Sequence, residues 1–268
     1  MPSIEQNYGK WNDPEHWSHA GDEWSVFWGS TEAQWTHSIL PRMRQWLPAK
    51  TIVEIAPGHG RWTQFLQPQA ETLHIVDLSD DCIARCKERF AAADNIHYHV
   101  NDGKTLPATI ADGSVDFVYS FDSLVHCEIA VIEAYFMEIG KKLAPGGTAF
   151  IHHSNLGHYP LYFKLAKMIP AGRQTLGKMR IVDYDCWRGV TVSPETVAAA
   201  AAKAGLEIHC QELVNWWAET RRCIDGITTL RKPLAGATPS APPAPWFNAS
   251  FMTEARVIRE REEHYPAG

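Results

Sequence analysis

Through the middle of the chain, short mostly apolar runs alternate with amphipathic stretches. The runs are residues 51–55, 72–77, 96–100, 115–120 and 148–152. Their length, and the Gly, Pro and Asp residues that bound them, predict strands. Between them, 60–67, 80–91 and 129–143 predict helices. Alternation of this kind with short turns predicts a parallel sheet covered by helices on both faces. Two further runs, 206–215 and 223–230, lie close enough in sequence to pair antiparallel. The expected architecture is therefore an α/β fold with a seven-stranded, mostly parallel sheet and an antiparallel last strand.

The flanks read differently. Residues 1–30 show no clear period, and 31–46 predict an amphipathic helix ending before Pro48. The 156–191 stretch breaks the strand–helix rhythm and is too long for a plain connector, which predicts helices over the active face. Ser193 as N-cap and Pro194 at the first helical position open a helix that stops at Gly205. A loop is expected over 232–246 and a short polar helix over 248–263. The implied division is an aromatic-rich helical cap at 1–47, a core at 48–232 with a cap insertion at 156–190, and a Pro/Ala-rich loop with a C-terminal helix at 233–268.

Composition narrows the function. A net charge of −6 and the absence of any run of five basic residues argue against nucleic acid as a partner. No apolar run is long enough to cross a bilayer and the first residues have no signal-like pattern, so no membrane partner and a cytoplasmic location are expected. Six cysteines without zinc spacing predict reduced core thiols. Of eleven tryptophans, six (Trp11, Trp17, Trp24, Trp28, Trp35 and Trp46) fall in the first fifty residues. They suit either a packed cap or a lid over a ligand.

The most informative stretch is Val53-Glu54-Ile55-Ala56-Pro57-Gly58-His59-Gly60-Arg61-Trp62-Thr63, between the first strand and the first helix. Gly58 and Gly60 let the backbone turn sharply and approach a ligand. Asp77, closing the second strand, can accept both hydroxyls of a ribose. Asn101-Asp102-Gly103 follows the third strand, where an adenine edge can be met. With Pro145-Gly146-Gly147 before the fifth strand, this order resembles the class I S-adenosylmethionine (SAM)-dependent methyltransferases over roughly residues 31–230. The resemblance implies a Rossmann-like fold and SAM as cofactor. It implies that Glu54 holds the ammonium end of SAM, Asp77 the ribose and Asp102 the adenine side. Ala56, Gly58, Gly60, Thr63, Leu78, Gly103, Phe121 and Trp28 complete the expected donor contacts. Thr63 stands where a dinucleotide motif has its last glycine, which disfavours a nicotinamide cofactor.

Methyl transfer needs alignment, water exclusion and, for a hydroxyl acceptor, a base. The fourth strand runs into Asp122 and His126, the fifth into His152-His153-Ser154-Asn155. His153, further past the expected strand end, is the favoured base. His152 could face the cofactor pocket or the helix layer, and the resemblance places His126 near the transferred methyl. Asp122, His153 and Asp225 could hold a magnesium ion that acidifies a hydroxyl. Glu128 either joins that set or caps a helix. Trp28, Tyr159, Tyr162, Trp187, Arg188, Trp216 and Trp217 would line a site for a small-molecule acceptor, saccharide-like, methylated on oxygen. An N-methyltransferase for a small amine and a non-catalytic SAM-binding protein are the alternatives. A homodimer stays open.

Overall fold

The computed structural model describes residues 3–167, 187–216, 222–237 and 241–265. Its centre is an eight-stranded sheet in the order β3-β2-β1-β4-β5-β7-β6-β8. The strands are β1 (Ala49–Ile55), β2 (Ala70–Asp77), β3 (Ile96–Val100), β4 (Val115–Ser120), β5 (Leu143–Ser154), β6 (Glu207–Val214), β7 (Asp225–Arg231) and β8 (Trp246–Asn248). β1 to β5 pair in parallel, and β7 runs antiparallel between β5 and β6. The expected seven strands are present, and β8 is an addition, parallel to β6. Its Pro-rich approach hides it in the sequence. A three-residue strand on the outer edge tolerates residues that a central strand would not.

Strand alternation feeds two cores. Val53 and Ile55 pack with Val118, Phe136, Ile139 and Val197 on one face. Ile52 packs with Trp35, Ile75, Phe117, Tyr119 and Phe251 on the other. Each fully buried Ile, Val or Phe is worth about 1.5–3 kcal/mol, so both helix layers are tied to a rigid sheet. The helices Ile129–Lys142 and Pro194–Lys203 supply the first layer, and Asp80–Arg89 and Phe251–Glu262 contribute to the second. Ser193 caps its helix as expected. Among the described residues, no helix is long and apolar enough to cross a membrane.

Three features depart from the sequence reading. The segment expected as one helix over 31–46 is broken into Thr31–Gln34, a π turn Trp35–Ile39, Leu40–Met43 and a 3-10 turn Arg44–Trp46. Pro41 has no N–H to give the turn before it, which favours the wider loop. An unexpected helix, Ile4–Trp11, starts the cap; Ser3 and Gln6 form its capping box. β5 continues to Ser154, past the point where the sequence suggests it ends. Of the 156–190 insertion, a 3-10 turn Leu156–His158 and a helix Pro160–Lys167 are seen; residues 168–186 lie outside the described residues.

Candidate active site

The parallel order reverses between β1 and β4, and the carboxyl ends of the strands around that point open into a cavity of about 380 Å³. A crevice at such a switch point is where open α/β sheets bind ligands. The loop after β1 forms one wall through Ala56, Pro57 and Gly58. Gly58 adopts φ +58°, and a Cβ there would stand 2.3 Å from the Trp17 ring. Its N–H donates to Asp77 Oδ2 at 3.1 Å, while Asp77 Oδ1 accepts from the Ser79 N–H at 2.8 Å. Asp77 thus closes β2 facing the cavity, and burial pushes its carboxyl up to about 6. Leu78, Gly103 and Phe121 complete this half of the lining.

The cap covers it. Trp11, Trp17 and Trp24 line the cavity and pack on one another with centroids 4.9–6.0 Å apart. Trp17 also stacks on His59 at 4.1 Å. The helix Ile4–Trp11 reaches the same region: Ile4 meets Gly103, and the Tyr8 hydroxyl donates to Asp80 Oδ1 at 3.1 Å.

On the opposite side, Asp122 lines the cavity in a left-handed conformation, φ +61°. Its carboxylate accepts from Arg61 Nη2 at 2.7 Å, with the guanidinium over Trp62 at 4.5 Å and Trp24 at 5.3 Å. Its N–H donates to His152 Nδ1 at 3.0 Å. The His152 ring lies between Phe121 (4.3 Å) and Trp216 (5.1 Å), with Nε2 3.4 Å from Asp225 Oδ2. Arg188 lines the cavity over Trp216 and donates to both Asp225 oxygens at 2.5 and 2.6 Å. Burial would raise the Asp225 carboxyl, but the Arg188 guanidinium holds it at about 2. His126 also lines the cavity. Its Nδ1 donates to the Trp187 carbonyl at 2.8 Å, the Trp11 ring lies 5.0 Å away, and burial, then Arg188, lowers its pKa to about 4.

The family model of the methyltransferase domain matches residues 52–147, from within β1 to the first part of β5. That stretch, 96 of the 268 residues, is similar to a methyltransferase domain. Phosphoethanolamine N-methyltransferase 1 of Triticum aestivum is 32% identical over 106 residues, covering 39% of this chain and 21% of that protein. Ribosomal RNA small subunit methyltransferase A of Prochlorococcus marinus (strain MIT 9313) is 33% identical over 67 residues, 25% of this chain and 24% of that protein. The chain therefore spans under a quarter of the length of these curated relatives. Among solved structures, the DhpI–SAH complex superposes with a TM-score of 0.56 at 16% identity, covering 86% of this chain and 97% of that one. A SAM-dependent methyltransferase from Mesorhizobium loti gives 0.50 at 21%, covering 74% and 97%. The sheet, its antiparallel β7 and the flanking helices have the class I SAM-dependent methyltransferase fold.

Around the cavity the expected donor residues divide. Ala56, Gly58, Asp77, Leu78, Gly103, Phe121 and Trp28 line the cavity, while Glu54, Gly60, Thr63 and Asp102 do not. Glu54 is buried behind the loop, accepting from Thr63 Oγ1 at 2.6 Å, and desolvation raises its pKa to about 8. Gly60 packs toward Phe90. Asp102 Oδ1 accepts from the backbone and hydroxyl of Thr105 and the Lys104 N–H, closing a turn.

The expected catalytic and metal sets are also divided. His153 does not line the cavity. Because β5 continues through it, His152 and His153 face opposite sides of the sheet. The His153 ring lies against Gly226, with Nδ1 2.8 Å from the Ser154 carbonyl and Nε2 2.7 Å from Thr228 Oγ1. Burial lowers its pKa to about 4. The magnesium set Asp122, His153 and Asp225 does not come together. Two of its members are paired with arginines and the third is hydrogen-bonded on the far face. Among the described residues, no group of three metal-ligating side chains converges. Glu128 instead accepts from the Val190 and Thr191 N–H groups and the Thr191 hydroxyl, tying the insertion's end to the start of the helix Ile129–Lys142. Of the expected acceptor residues, Trp28, Arg188 and Trp216 line the cavity. Tyr159 and Tyr162 pack with Leu156 and Ile224, and Trp217 lies outside the described residues. Arg61, Trp62, Asn7, Tyr8 and Glu23 also line the cavity and were not anticipated. Arg61 was within reach of sequence reasoning, standing next to the glycine turn; Asn7 carried no signal.

Proposed function

We propose that this chain transfers the methyl group of SAM to a hydroxyl of a small, saccharide-like acceptor, with His126 taking the proton. In this reading Asp77 accepts the ribose hydroxyls, Gly58 allows close approach of the loop, and Leu78 and Gly103 face the adenine. SAM, when bound, supplies a methyl already activated on a sulfonium. The domain's own work is to align the acceptor, exclude water with the tryptophan cap, and receive a proton.

The observation that carries the reading is the state of His126. A carbonyl can only accept, so the Nδ1–Trp187 contact fixes the proton on Nδ1 and leaves Nε2 as the basic nitrogen. Of the three histidines first considered, it is the one that lines the cavity. With a pKa near 4 the ring is neutral at pH 7. That basicity suffices: as the new O–CH3 bond forms, the hydroxyl proton becomes that of an oxonium, far more acidic than an imidazolium. The balance is R–OH plus donor giving R–OCH3, the thioether product and a proton on His126. Trp24, Trp28 and Trp216 offer flat apolar faces to a pyranose ring, and the Arg61–Asp122 pair offers donors and acceptors to hydroxyls.

Mass spectrometry of products from a panel of sugars, glycosides and amines, with labelled SAM, tests this. Methylated hydroxyl product is expected, with His126→Gln lowering kcat by about 10²–10⁴-fold. Methylation confined to amines, unaffected by that substitution, would overturn it. The Triticum aestivum relative's name makes an amine the second reading.

A further inference from the structure

The helix Ile4–Trp11 buries a single residue, and that residue is polar: Asn7, 8% exposed. A helix docked for stability alone would bury an apolar side chain there, because a buried amide is costly unless its hydrogen bonds are met. Those of Asn7 go to two places. Its Nδ2 donates to the His126 carbonyl at 2.9 Å, and its Oδ1 accepts from the Trp187 indole N–H at 2.8 Å. The Trp187 carbonyl in turn holds His126 Nδ1. Asn7, His126 and Trp187 therefore form a closed ring of hydrogen bonds drawn from the cap, the loop after β4 and the end of the insertion. Trp187 sits at φ +61°, a conformation a bulky residue keeps only where its surroundings hold it. Here the hold is Asn7 on its indole and Lys10 over its ring at 4.8 Å.

We infer that Asn7 is a positioning residue that sets the tautomer of His126 through Trp187, so that the base is assembled only when the N-terminal cap is docked. The inference rests on His126 being the proton acceptor. Its consequence is that donor enclosure and base formation are one event: the segment that lays Trp11 and Trp17 over the cavity also fixes which nitrogen of His126 is basic. Without Asn7 the indole loses its partner, the Trp187 carbonyl is free to turn, and Nδ1 is no longer obliged to carry the proton. The groups facing His126 that set its titration are Arg188 and Lys10, which oppose its charge, and Asp122, which favours it.

The test uses ¹⁵N-histidine NMR on the full chain at pH 7, with His126→Gln to assign the ring, alongside turnover and SAH affinity. In the unsubstituted chain His126 should be protonated on Nδ1. In Asn7→Ala it should show mixed tautomers and kcat should fall about tenfold, with SAH affinity changed less than about threefold. The acid limb of the pH–rate profile should move down from about 4, because the Trp187 carbonyl is a contact that favours the charged ring. Trp187→Phe keeps the carbonyl but removes the indole N–H, and should act in the same direction; it carries the test if the Asn7 variant does not fold. Retention of the Nδ1 tautomer and full turnover in these variants would overturn the inference. Full turnover in His126→Gln would instead remove the base reading, while the NMR arm would still report whether Asn7 governs the ring.

Discussion

Asp77 and Glu54 are both buried carboxylates on neighbouring strands, and burial raises both pKa values, to about 6 and about 8. Their partners separate their roles. Asp77 accepts from two backbone N–H groups and lines the cavity, so its ionised form is poised to accept further hydrogen bonds. SAH affinity should fall as pH drops through about 6, where Asp77 takes up a proton. Asp77→Asn should weaken binding about tenfold or more at pH 8 and remove that dependence, as titration calorimetry at pH 5 and 8 would read. A pH-independent affinity in the unsubstituted chain would contradict this. Glu54 has one oxygen on Thr63 and the other with no hydrogen-bond partner among the described residues. Its folded pKa lies above the ordinary 4.5, so the unfolded chain releases the proton first. Folding should therefore weaken as pH rises from about 4.5 to about 8, by on the order of a few kcal/mol. Urea unfolding should show Glu54→Gln with a flatter pH dependence across that window; parallel curves for the two proteins would count against the assignment.

At the scale of elements, the helix Phe251–Glu262 is fastened by charge as well as by packing. Arg42 donates to Glu212 at 2.6 Å and to Glu254 at 2.7 Å, Asn248 joins the same carboxylates, and Ser38 bonds Glu254. The helix's Phe251 then backs Trp28 and Trp216 in the cavity wall. Glu254→Ala leaves Glu212 to neutralise Arg42, so about 2–3 kcal/mol should be lost in chemical denaturation, less than the removal of a sole partner would cost. A change under about 0.5 kcal/mol would show the network to be incidental. The elements also show what sequence can and cannot carry. Strands with strong period or apolar runs were readable because burial on two faces leaves a mark on every residue. The helix Ile4–Trp11 was readable only through its Ser3–Gln6 box, since its one buried side chain is polar. For His152 and His153 a single boundary matters, since the sequence ends the fifth strand at His152 and the structure ends it at Ser154. Two more residues of strand at the end of β5 turn His153 to the face away from the cavity.

At the scale of the whole molecule, the half of the cavity proposed for the donor lies in local sequence order: turn after β1, acid closing β2, glycine after β3. Such order survives in a linear reading. The half proposed for the acceptor does not, because it is made where the cap, the ends of β4 and β5, Arg188 and Trp216 meet, across more than a hundred residues of separation. The Arg61–Asp122 and Arg188–Asp225 pairs, which take two carboxylates out of the expected metal set, exist only in three dimensions. The cap itself joins both halves through Trp17 on Gly58. Gly58→Ala would place a methyl against that ring and force φ +58° on an L residue, so SAH affinity and Tm should fall together. Unchanged values of both would show the cap to stand clear of the loop.

The most direct measurement is titration calorimetry of the purified chain with SAH, alone and as Asp77→Ala. One saturable site per chain, weakened about tenfold or more by the substitution, is the expected result. No heat of binding, or identical affinity in the variant, would contradict the assignment of this cavity to the methyl donor.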